Sequence, residues 1–301
     1  MPNEYSTVVP LVGLKLDSPL KGNIAFSQDL ILTRLPDWIF GDNKYKDLSR
    51  IDREALKNVD YAFVMEYQAS SLGEPSEDFK YSEERSVQEI KYETAVLCNV
   101  ALWLAKPSRA CFDLVFHNPK FEEKYHIQSY CKHSRLVCHP KDQDSSLSVS
   151  DLDKAKNIHI ALCQLKANNC IWTAIHTLWS ALTIIKSEVR YLLLWVALEA
   201  LLGPENPQEI RYRLAQRIGF FLASDKNEAR EFYQISKKGY DFRSKIVHGR
   251  IKNRIDLAEY GGRIESILQR VLIKALLEDQ IMERIIGKNR ELYLNDLCFQ
   301  P

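Results

Sequence analysis

A chain of 301 residues, 46% hydrophobic and 27% charged, has the length of two ordinary domains and apolar surface enough for two cores, which excludes a disordered or fibrous polypeptide. Its net charge of +1 excludes a dedicated cationic nucleic-acid scaffold, although the charge is uneven: residues 1–150 carry −4 and residues 151–301 carry +5. Seven cysteines, an odd number with no Cys-x2-Cys pair, and no apolar run after Met1-Pro2-Asn3-Glu4 fit a reducing, cytoplasmic setting.

In chain order, the first half favours short strands. Thr7-Val8-Val9-Pro10-Leu11-Val12-Gly13-Leu14-Lys15-Leu16 and residues 23–35 are β-rich and punctuated by Pro and Gly, and Tyr61-Ala62-Phe63-Val64-Met65-Glu66-Tyr67 continues the pattern. A helix is expected over 86–105, then strands over 110–117 and 134–139. His126, Cys131, His133, Cys138 and His139 fall within 14 residues, a dense set of zinc-type ligands whose spacings match neither a finger nor a ribbon. No metal or cofactor is expected; Cys131, His133, Cys138 and His139 are the residues that would hold zinc. No nucleotide loop, Gly-rich turn or internal repeat assigns residues 1–150 a task, so a sensory or regulatory role, with a ligand or protein as its partner, is the expectation for them.

From residue 150 the pattern becomes helical. Ser150-Asp151-Leu152-Asp153 reads as a capping box. Ile171, Ala174, Ile175, Leu178, Ala181, Leu182 and Ile185 recur at i, i+3, i+4 and i+7, the spacing of an amphipathic helix. Residues 189–202 are apolar nearly all round and predict the central helix of a bundle, ended by Gly203-Pro204. Its longest apolar runs are too short for a membrane span of about 20 residues and are broken by Glu199, so no membrane association is expected. Further helices fit residues 208–222, a longer segment capped by Asp225 and Glu228 with the stripe Phe232, Ile235, Gly239, Phe242 and Ile246, and a last one carrying Ile264, Ile267, Leu268, Val271, Ala275 and Leu276. The predicted fold class is therefore α+β: a mixed domain rich in short strands over 1–150 and an all-α bundle over 151–301.

Chemistry concentrates in Tyr240-Asp241-Phe242-Arg243-Ser244-Lys245-Ile246-Val247-His248-Gly249. Arg243 is permanently charged and suited to gripping a phosphate with two hydrogen bonds, and His248 is the side-chain type that moves protons near neutral pH. Residues 241–254 add Lys245, Arg250, Lys252 and Arg254 against one acid. Glu199 sits on the most apolar helix, where a carboxylate is costly unless a cation from a neighbouring helix answers it.

Three separated segments, Ala197-Leu198-Glu199-Ala200-Leu201-Leu202-Gly203, then Glu209-Ile210-Arg211-Tyr212-Arg213-Leu214-Ala215-Gln216-Arg217, then the Arg243-x4-His248 segment, resemble in content and order the Apea-like branch of the HEPN superfamily. The resemblance covers about residues 151–285 and none of the first half. It implies an HEPN-like helical bundle, a symmetric homodimer, and Arg243 and His248 as a ribonuclease pair; Glu199 is expected to support that pair, and Ser244, Lys245, Arg250, Lys252 and Arg254 to bind RNA. It implies a metal-independent endoribonuclease of anti-phage defence or toxin type. The alternatives are an RNA- or nucleotide-binding module without turnover and a structural dimerisation subunit. Ser244 departs from the Asn, Asp or His that often follows the arginine in nuclease-competent members.

Helix geometry adds a condition. Residues five apart on a helix point roughly 140° away from each other. Arg243 and His248 therefore converge only if the helix stops at His248, with Gly249 as a left-handed cap, or if two protomers share the site.

Overall fold

The computed structural model describes residues 4–41, 46, 48–68, 80–119, 126–129, 145–165, 169–206, 208–250 and 254–299. The chain divides into two compact units, residues 1–160 and 161–301. The fold class is α+β.

The first unit is built on a six-stranded sheet of order β2-β3-β4-β1-β5-β6, antiparallel throughout: β1 (Glu4–Pro10), β2 (Ile24–Ser27), β3 (Leu30–Arg34), β4 (Tyr61–Gln68), β5 (Leu114–Pro119) and β6 (His126–Ser129). The helices of this unit are α1 (Trp38–Gly41), α2 (Arg50–Leu56), α3 (Lys80–Ala105) and most of α4 (Val149–Gln164). Alternation along β4 explains its central place. Ala62 and Val64 join Val8, Leu35, Ile39, Leu56 and Phe116 in one core cluster, whereas Phe63 points to the other face and meets Phe26 edge-on at 5.2 Å. Both faces are buried, which is why the strand reads as a nearly unbroken apolar run.

Strands expected over 23–35 form the β2–β3 hairpin, and the helix expected over 86–105 is α3. The stretch 134–139 lies outside the described residues. The helix expected to open at Ser150 begins earlier: Asp151 Oδ2 accepts from the Ser148 N–H at 2.9 Å while Ser148 Oγ accepts from the Asp151 N–H at 3.2 Å, a reciprocal cap two residues upstream of the expected one. The units divide within α4, ten residues beyond the expected boundary, because α4 packs into the first unit: Lys154 Nζ donates to the Ala105 carbonyl at 3.4 Å, and His159 stands edge-on to Phe26 at 5.9 Å.

Among its described residues the second unit is all helical: α5 (Cys170–Thr183), α6 (Ser187–Leu202), α7 (Ile210–Leu222), α8 (Lys226–Val247), α9 (Arg254–Leu277), α10 (Asp279–Ile286), α11 (Arg290–Asp296) and a closing 3-10 turn (Leu297–Phe299). α6 is central, touching α5, α7, α8 and α9. Tyr191, Leu194, Trp195, Leu198, Leu201 and Leu202 are all buried, as its uniform hydropathy requires. Gly203 ends α6, as expected, with extended backbone; its lack of a side chain is needed because a Cβ there would collide with the Glu199 carbonyl oxygen. No helix among the described residues is long and apolar enough to cross a membrane.

Candidate functional site

The candidate site is carried by α8 and positioned by α6. At its start Asp225 Oδ1 accepts from the N–H groups of Asn227 and Glu228, at 2.7 and 3.0 Å, and Glu228 Oε2 accepts from the Ser224 N–H at 2.8 Å. These bonds satisfy donors that a helix start otherwise leaves open. Phe232, Gly239 and Phe242 then turn inward. At Gly239 the helices touch so closely that a Cβ would stand 2.8 Å from Ile264 Cδ1 and 2.9 Å from Trp195 Cζ2. The Tyr191 hydroxyl donates to the Gly239 carbonyl at 2.7 Å, fixing the height of α8 against α6.

This registration sets Arg243 beside Glu199. Arg243 Nη2 lies 3.2 Å from Glu199 Oε1, with the two side chains 25% and 23% exposed. The cation expected from a neighbouring helix to answer Glu199 is thus Arg243, whereas Arg190, on the same helix as Glu199, pairs with the buried Glu265 at 2.6 Å. Tyr240, which sequence reasoning passed over, completes the cluster. Its ring lies under the Arg243 guanidinium at 5.0 Å and meets Trp195 edge-on at 5.1 Å. Burial first, then the Glu199 charge and a hydrogen bond to that carboxylate, push the Tyr240 phenol up to about 12. Tyr240 lies three residues before Arg243 on the same helix, and that spacing was the available signal. The Arg243 fork is incompletely used, because its buried Nε has no hydrogen-bond partner among the described residues.

α8 stops at Val247. His248 is the C-terminal cap, at φ −91° and ψ 9°, and Gly249 follows at φ +65°. The Gly249 N–H donates to the Ile246 carbonyl at 3.0 Å, and the Arg250 N–H to the Lys245 carbonyl at 2.8 Å. This is the double bonding of a Schellman ending, which leaves His248 exposed at the helix tip. Ser244, Lys245 and Arg250 are exposed beside it. Lys252 lies outside the described residues, and of Arg254 only the backbone that opens α9 is described.

Within the chain, then, Arg243, Glu199 and Tyr240 come together while His248 stands apart at the tip, and no hydrogen bond joins Arg243 to His248 among the described residues. Cys131, His133, Cys138 and His139 lie outside the described residues; among those described, no three His, Cys, Asp or Glu side chains are placed to hold a metal ion.

Two further arginines secure the end of α6. Arg217, 2% exposed, donates to the Leu202 carbonyl at 3.2 Å, to Glu291 Oε1 at 2.6 Å and to Asn295 Oδ1 at 2.8 Å. Arg290 donates to the carbonyls of Ala200, Leu201 and Gly203. The segments 197–203 and 209–217, separate in sequence, thus meet at one carbonyl cluster. The signal for Arg217 was its place between Leu214, Ile218 and Phe221 on an otherwise apolar face.

No family model, no curated protein and no solved structure matches the chain.

Proposed function

We propose that the protein is a metal-independent endoribonuclease of HEPN type, with its second unit an HEPN-like bundle, acting as a homodimer in anti-phage defence or as a toxin. The observation that carries this reading is the Glu199–Arg243 ion pair set immediately before a helix end capped by His248 and Gly249. That pair supplies a phosphate-binding cation held in place by a scaffold carboxylate, and the helix end supplies an exposed imidazole.

The chemistry follows from these groups. A neutral His248 accepts the proton of a ribose 2′-hydroxyl, and the 2′-oxygen attacks the adjacent phosphorus. Arg243 stabilises the charge gathering on the non-bridging oxygens. The P–O5′ bond breaks, the partner's His248 in its protonated form gives its proton to the leaving 5′-oxygen, and the products are a 2′,3′-cyclic phosphate and a 5′-hydroxyl. The roughly 140° between Arg243 and His248 along α8 favours a site completed by two protomers. Lys245, Arg250, Lys252 and Arg254 with Ser244 contact the RNA backbone. Residues 1–150 control this activity in response to a ligand or protein. DNA, which lacks the nucleophile, is not cut.

Incubation of wild type and His248→Ala with mixed RNAs in the presence of EDTA tests the reading. Wild type cleaves and the variant does not; cleavage that requires Mg2+ or survives the substitution overturns it. A second reading, an RNA- or nucleotide-binding module without turnover, draws on the engagement of Arg243 by Glu199 and Tyr240 and on Ser244. It expects binding that weakens steeply with salt and no products.

A further inference from the structure

The outer face of α8 carries a feature that the Arg243–His248 pair does not use. Between α7, α8 and the closing 3-10 turn lies an open pocket of about 590 Å3, lined among others by Tyr212, Phe220, Lys226, Arg230, Tyr233 and Phe299. Three of its four rings are well exposed: Tyr212 at 44%, Phe220 at 37% and Phe299 at 85%. Its lining includes two cations and no carboxylate, and among the described residues neither Lys226 nor Arg230 forms an ion pair. Lys237 lies against the same rings, its ammonium 4.8 Å from the centroid of Tyr212 and 5.5 Å from that of Tyr233.

The pocket and the helix tip lie along one line. Arg230 and His248 are eighteen residues apart, five full turns, so they share one direction from the helix axis; Lys237 falls within about 20° of that line and Tyr233 within about 60°. The rise from Lys237 to His248 is about 16 Å, and from Arg230 about 27 Å. Asp241, the acid on this line, is already answered by Arg211 at 2.6 Å. A continuous outer face therefore offers cations and rings at one end and the histidine at the other.

Only one class of occupant uses both parts. An acidic peptide answers the cations but not the rings, and an apolar segment or a second copy would bury the cations unanswered. Single-stranded nucleic acid presents phosphates and flat bases together. The geometry points to this face as a single-stranded RNA track, with bases stacked in the α7–α8 pocket and the strand leading to His248. The choice of RNA over DNA rests on the ribonuclease reading above; the track itself rests on the pocket.

Its test uses the full-length His248→Ala protein, so that binding is read without cleavage, and a fluorescent RNA dodecamer free of self-complementarity. Lys226→Glu with Arg230→Glu weakens binding at least tenfold and lowers the slope of log Kd against log salt by about 1.4, two phosphate contacts' worth for a single strand. Tyr212→Ala or Phe299→Ala weakens it by about tenfold through lost stacking. All four side chains are on the surface, and unchanged melting temperatures confirm intact folding. Affinity within twofold of the parent in these variants, or an equal loss towards the same sequence annealed as a duplex, overturns the track. The two readings fail separately. Lost binding in these variants, with no cleavage by wild type, sinks the nuclease and leaves the track. Cleavage by wild type, with the same substitutions binding as well in the His248→Ala protein and cutting as well when His248 is restored, sinks the track alone.

Discussion

Arg243 of α8 holds Glu199 of α6 at 3.2 Å, with both side chains about three-quarters withdrawn from water. A pair so placed gains more from its charges than a surface bridge and loses more when one partner goes. Glu199→Gln keeps the shape and removes the charge, and is expected to cost about 1–2 kcal/mol of stability. A double-mutant cycle with Arg243→Gln should give a coupling of about 1 kcal/mol by urea unfolding. In the ribonuclease reading Arg243→Gln lowers cleavage at least a hundredfold and Glu199→Gln about tenfold, because a released arginine is less well oriented. Stability losses with full cleavage retained would assign the pair to the scaffold alone.

The ending of α8 gives a sharper test of the site's shape. Gly249 sits at φ +65° with open space where a Cβ would be, so the cost of a side chain there is backbone strain and not a clash. Gly249→Ala should destabilise by about 1–2 kcal/mol, and Gly249→Asn by less, since asparagine tolerates the left-handed region. Thermal unfolding measures the difference. In the ribonuclease reading cleavage follows the same order, as straightening this turn displaces His248. Equal stability in all three proteins would mean that the turn does not hold His248 in place.

The bundle's legibility had a physical basis that the site's did not. Asp225 and Glu228 announced the start of α8, and the stripe through Gly239 and Phe242 fixed its inner face, because caps and helical periodicity are local properties. Glu199 on an apolar helix demanded a cation, and Arg243 met that demand. Tyr240, Arg217 and Arg290 went unseen, since their roles depend on which helix ends meet: Arg290 serves carbonyls about ninety residues earlier in the chain. The cap at Ser148 was misplaced by two residues, because a serine-rich stretch offers two hydroxyls, Ser148 and Ser150, each with a carboxylate three residues on.

Arg217 anchors the junction that sequence reasoning missed. Its burial leaves no solvent to replace the bonds to Leu202, Glu291 and Asn295. Arg217→Met should cost about 3 kcal/mol, the lower end for breaking a buried pair, because Arg213 still reaches Glu291 at 2.9 Å. Arg217→Lys keeps the charge and loses the planar fork, and should cost less. Urea unfolding ranks the two; a loss below about 0.5 kcal/mol for Arg217→Met would show that the carbonyl cluster holds without it.

His159 ties the first unit to pH. The imidazole is 2% exposed and stands edge-on to Phe26, and burial pulls its pKa down to about 4. An unfolded histidine titrates near 6.5, so between about pH 6.5 and 4 the unfolded chain binds a proton that the folded chain refuses. Stability from this residue is complete above that window and is lost as pH falls through it, by about 2 kcal/mol between pH 7 and pH 5. His159→Leu should remove that difference whatever it does to stability at pH 7. Hydrogen exchange of the strand segment Ile24–Ser27, which carries Phe26, reads the effect in the first unit. Protection that falls equally in wild type and variant on going from pH 7 to pH 5, after correction for intrinsic exchange, would show that His159 is not the group responsible.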